Sequence, residues 1–124
     1  MVKHGRFYDG VTGQCLGVDV KVMRYFPQRL VGMLYLTQPL AAVAFWFPRC
    51  RAVHTWGMHF AIRVIGLDAQ HKVVAILPRV PPGQVVRIAG VDSIFECGAD
   101  VPFSCAIKVG QQLQFRWSDH ACEI

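Results

Sequence analysis

Leu16, Val18, Val20 and Val22 alternate with Gly17, Asp19 and Lys21, a period of two that gives a strand one apolar and one polar face. The same scale recurs along the chain. Residues 43–47 read as a buried strand stopped by Pro48, which has no N–H to donate to a ladder. Residues 52–56 and 61–67 read as two more, with Gly57 between them, where a missing Cβ allows a bulge or sharp bend. Asp68-Ala69-Gln70-His71-Lys72 has the character of a hairpin loop, because a short aspartate side chain can satisfy nearby backbone N–H groups, and residues 73–77 supply the returning strand. Pro81-Pro82-Gly83 punctuates the chain before strands at 85–89 and 93–97, and a last strand at 111–117 puts Leu113, Phe115 and Trp117 on one face. Helix has two openings. Pro27 suits a first helical turn, with Leu30, Val31 and Leu34 at helical spacing over residues 27–34, and residues 103–109 offer a second helical turn. The pattern predicts a mainly β fold, a compact antiparallel sandwich or barrel with one or two short helices.

A chain of 124 residues fits one domain and can bury a core without staples. No internal repeat or low-complexity segment interrupts it. Cys15, Cys50, Cys97, Cys105 and Cys122 are odd in number with no C-x-x-C pair, and the first residues lack the apolar run of a signal peptide, so reduced thiols and a cytoplasmic location are expected. The longest apolar run, residues 40–47, falls far short of the roughly 18 residues that suggest a membrane helix. A mean hydropathy of +0.33 fits a very full core, with a partner surface, a second copy of the chain included, as the other use of the excess. The net charge of +5 would attract polyanions, yet the basic residues are dispersed in the sequence, with Arg49 and Arg51 the one tight pair, so a solvated surface is expected over a nucleic-acid groove.

The segment from His54-Thr55-Trp56-Gly57-Met58-His59 to Asp68, preceded by Arg49-Cys50-Arg51, resembles the central motif of the uncharacterised DUF192 family, His-Thr-Phe-Gly-Met followed by a strand and a turn aspartate. Upstream, Arg29-Leu30-Val31-Gly32-Met33-Leu34 resembles the family's Arg-x-x-Gly-Leu-Met/Leu element. Downstream, Ile94-Phe95-Glu96 resembles its Val-Leu-Glu, and Ile107-Lys108-Val109-Gly110 its Leu-Lys-Val-Gly. The resemblance covers roughly residues 14–117, leaving 1–13 as an N-terminal extension and 118–124 as a tail. It implies a small β-rich, jelly-roll or sandwich domain without an established activity, with some members linked to pilus assembly or export. Two positions depart from the pattern. Ala61 stands for the family's proline, and Arg63 for its motif aspartate, a charge reversal that removes whatever the carboxylate does elsewhere.

Chemistry concentrates in the central segment. Cys50, His54 and His59 are zinc-ligand types, but a structural zinc site wants four ligands, and His54 and His59 would point to opposite faces of an unbroken strand. No metal or other cofactor is expected. Cys50 between two arginines, with His54 as base, is the arrangement a small hydrolase-like enzyme would use, although nothing supplies an oxyanion hole or an orienting carboxylate. The favoured reading is a non-enzymatic accessory module binding a protein or small ligand, with His54, Thr55, Trp56, His59, Arg63 and Glu96 as the candidate contacts. Trp56 is expected in the core with Ile62 and Val64. Arg63 is expected to pair with Glu96 or Asp68.

Overall fold

The computed structural model describes residues 3–24, 38 and 40–118. They form nine strands: β1 (His4–Asp9), β2 (Asp19–Val22), β3 (Val43–Pro48), β4 (Ala52–His54), β5 (Ile62–Leu67), β6 (Val73–Val80), β7 (Val85–Arg87), β8 (Ser93–Gly98) and β9 (Leu113–Trp117). Seven make one sheet in the order β6-β5-β8-β3-β2-β1-β9, and β4 and β7 make a separate two-stranded ribbon. The sheet is antiparallel except at β2–β3, where Asp19 to Val22 run parallel to Val43 to Trp46, as a long crossover connection between two strands permits.

The sheet is an open ladder and not a closed barrel. Its outer strands touch at one corner only, where Lys72 and Gln112 bridge and Val73 N donates to Gln111 O at 2.9 Å. Among the described residues there is no helix. The segment expected as a helical turn at 103–109 is instead irregular, bent at 104–105, with Phe103, Cys105 and Ile107 half-buried and Ser104, Ala106 and Lys108 exposed. The alternation of these side chains, laid against an existing core, wins over the local helical option. The helix expected at 27–34 lies outside the described residues.

Period two sends the side chains of the central strands to two cores. Ile65, Leu67, Phe95, Cys97, Ala44 and Trp46 join Phe7, Val18 and Val20 in an inner cluster, while Ile62, Val64, Ile94, Phe45 and Phe47 join Val53, Met58 and Val80 in an outer one beneath the β4–β7 ribbon. Phe7 stands amid the inner cluster, 5.0 Å from Phe95, 5.2 Å from Trp46 and 5.1 Å from Phe115 between ring centroids, spacings at which aromatic pairs add to plain burial.

Residues 4–9, assigned from the sequence to an N-terminal extension, form β1, paired on both sides with β2 and β9. The strand escapes a hydropathy reading because one of its inward positions is Gly5. A Cβ there would lie 2.5 Å from Phe115 Cζ and closer still to the Arg116 carbonyl oxygen. Gly5→Ala is therefore expected to destabilise by about 1–3 kcal/mol through overpacking against backbone, as read by denaturant unfolding. A loss near zero would contradict this β1–β9 register.

Candidate functional site

Alternation continues past the end of β4. Val53 is buried, His54 exposed, Thr55 fully buried and Trp56 62% exposed. Thr55 takes the inward place because its hydroxyl is satisfied there: Oγ1 donates to Pro81 O at 2.7 Å and accepts from Gln84 N at 2.8 Å. Its backbone completes the latch, since Thr55 N donates to Gln84 O at 2.8 Å and Thr55 O accepts from Gly83 N at 3.1 Å. Gly57, at φ 80, then turns the chain so that Met58 re-enters the outer core; a side chain with a Cβ adopts that conformation only with strain.

The expectation that Trp56 lies in the core is thus overturned, while Ile62 and Val64 are both fully buried as expected. The indole is nevertheless held, with Nε1 donating to Gly83 O at 3.1 Å and the ring 6.2 Å from that of His54. His54 is opposite Val85, which is 54% exposed. His54, Thr55 and Trp56 therefore share one corner with the turn at 81–85.

The other candidates lie elsewhere. His59 is exposed, and Cys50 is half-buried with its thiol donating to Ala52 O at 3.0 Å. Among the described residues no three metal-ligating side chains gather. Among the described residues Arg63 meets no carboxylate. Register explains why: β5 pairs Arg63 with Cys97 and Val64 with Glu96, so Arg63 points to the inner side and Glu96 to the outer. Its Nη2 donates to Ala99 O at 3.1 Å, and the guanidinium lies 4.5 Å over Phe103. Burial pushes the neighbouring Cys97 thiol up to about 11, an effect the Arg63 charge partly opposes. Asp68 is occupied as a turn former, Oδ1 accepting from Gln70 N and Lys72 N, each at 2.9 Å.

Glu96 is 7% exposed between Phe45 and Val64 on the neighbouring strands, and its Oε2 is buried without a hydrogen-bond partner. Desolvation raises its pKa from 4.5 to about 8, so the neutral acid is the form that fits. His71 is a residue that sequence reasoning missed. It sits at φ 66 in the hairpin turn, its ring 5.3 Å from Trp46 and 6.4 Å from Phe7, closing one end of the inner core. A polar residue in a loop gives no signal of such packing.

Two outcomes follow. Folding keeps the Glu96 proton to higher pH than the unfolded chain does, so its stabilisation is complete below pH 4.5 and is lost as pH rises to about 8. The fall is up to several kcal/mol, about 1.4 kcal/mol per pH unit. Urea unfolding of wild type and Glu96→Gln from pH 5 to 8 should show that slope in wild type alone; parallel profiles would contradict it. Thr55→Val, which strands Gln84 N and Pro81 O, should cost about 1–3 kcal/mol, whereas Trp56→Ala should cost less than about 1 kcal/mol as a surface change. Reversed magnitudes in the same unfolding assay would place the indole, and not the threonine, in the core.

The comparisons with known proteins agree on the fold. A solved structure from Sinorhizobium meliloti 1021, described as a "putative transcription regulator", superposes with a TM-score of 0.70 at 15% identity, covering 93% of this chain and 94% of that one. A protein of unknown function from Novosphingobium aromaticivorans DSM 12444 gives 0.69 at 13% identity, covering 91% and 84%. At such identities the likeness shows the fold alone. No curated protein matches this chain. The family model DUF192, described as "Uncharacterized ACR", matches residues 9–115, a span holding the Thr55 latch, the Trp56 corner and Glu96. The chain belongs to the DUF192 family.

Proposed function

We propose that this domain is a non-enzymatic binding module that recognises a protein through the corner formed by Trp56, His54, Pro82 and Val85. One observation carries the reading: an indole 62% exposed is pinned by its own N–H to Gly83 O. An aromatic anchor ordered before contact loses little freedom on binding, and tryptophan is among the residues that dominate interface energies. With Trp56 and Val85 both mostly exposed, the corner suits a macromolecular partner better than a small ligand, which pockets enclose almost fully. The hydrolase alternative draws no support from the Cys50 thiol, whose proton is directed at the Ala52 carbonyl.

Proteins of pilus-assembly or secretion systems are the first partners to test, following the family resemblance. Immobilised wild-type and Trp56→Ala domains would be compared for retained proteins, and a retained protein then purified and titrated against both. We expect Trp56→Ala to weaken binding at least about tenfold, as loss of a hot-spot aromatic does, with the melting temperature preserved. Equal affinity for both forms would sink this surface assignment.

A further inference from the structure

Among the described residues, the outer core lies over one half of the sheet. Its buried members come from β3, β5, β6, β8, the ribbon and the loop residues Met23, Met58 and Val91, with none from β1 or β9. On the side of β2-β1-β9 turned away from the inner core, the register instead sets His4 opposite Lys21, Arg6 opposite Arg116 and Tyr8 opposite Gln114. Residues dispersed over the sequence thus meet on one face.

The charges there are unbalanced. Arg6 and Arg116 face each other directly, a like-charge pairing that opposes folding. Among the described residues the ion pairs are His4–Asp19, at 2.8 Å, and Arg79–Asp100, so no carboxylate neutralises Arg6, Arg116 or Lys21. The one carboxylate of β2, Asp19, is turned to His4. Arg116 lies over the Tyr8 ring at 4.5 Å on this same face. A cationic face with a guanidinium seated over an aromatic ring offers phosphates a counter-charge and bases a stacking surface.

We propose that the β2-β1-β9 face is a binding surface for single-stranded nucleic acid, with Arg6, Arg116 and Lys21 holding the phosphate backbone and the Arg116–Tyr8 stack accepting a base. A phosphate between Arg6 and Arg116 would relieve a repulsion that the fold leaves standing. This face is separate from the Trp56 corner, and either can fail without the other.

The test is fluorescence anisotropy of a labelled oligothymidine titrated with the full chain at several salt concentrations. Three cations on phosphates predict a log–log salt slope near −2, at roughly −0.7 per contact for single strands. Arg6→Ala and Arg116→Ala should each weaken binding several-fold and reduce the slope by about 0.7, while their melting temperatures hold or rise because the repulsion is gone. Arg79→Ala, on β6 and already paired with Asp100, serves as the control and should bind as wild type does. Absence of binding at low salt, or binding that Arg6→Ala and Arg116→Ala leave unchanged, would overturn the proposal. So would tighter, arginine-dependent binding to phosphatidylserine vesicles than to the oligonucleotide, which would make this a membrane-facing surface instead.

Discussion

Everything in this fold follows from the burial of β3, β5 and β8 on both faces. A strand with one wet face can slip or fray at modest cost, but a two-residue alternation that must fill two cores at once has one register. Ile65 and Leu67 look inward while Ile62 and Val64 look outward along the same six residues of β5. A shift by one would exchange the two sets and carry Arg63 into the outer core. The same constraint places Glu96 between Phe45 and Val64 on β3 and β5, where desolvation raises its pKa to about 8 and favours the neutral carboxyl.

The outer core exists because the ribbon covers it, and the ribbon stays because Thr55 closes it. The threonine hydroxyl serves as both donor and acceptor across the 81–84 turn, satisfying backbone groups that burial would otherwise leave unpaired at a cost of about 1–3 kcal/mol each. With that inward position filled, parity carries the next side chain outward. The exposure of Trp56 is thus a by-product of the latch, and its fixed orientation comes from the hydrogen bond to Gly83 in the same turn. On the other half of the sheet, where no described residue of β1 or β9 joins the outer core, the register presents the basic face.

Much of the strand order was legible in the residues. Alternation at 16–22, punctuation at Pro48, Gly57 and Pro81-Pro82-Gly83, and the Asp68 turn each mark features that the structure contains, and the order of the DUF192 motifs identified the family. The failures share a cause. Alternation joined to strong strand signals on both sides put Trp56 inside, whereas counting parity from Val53 would have put Thr55 inside and Trp56 out. Charge complementarity paired Arg63 with Glu96, although adjacent strands in this register point them to opposite faces. β1 was hidden by Gly5, whose inward place is dictated by Phe115 and Arg116 on a strand far along the chain. The basic face was invisible for the same reason: cross-strand neighbours are set by register, which a list of residues does not contain.

The central claim is that the β4–β7 ribbon is fixed on the sheet and holds an exposed tryptophan in one orientation. The most direct measurement is the ¹⁵N relaxation order parameter of the Trp56 indole N–H together with that of the Gln84 amide, the two donors that tie this corner. The account predicts values of about 0.85 for both, those of rigid backbone, despite the exposure of the ring. An indole value below about 0.6, typical of a freely moving group, beside a rigid Gln84 would contradict the held-anchor reading, and low values at both would contradict the latch itself.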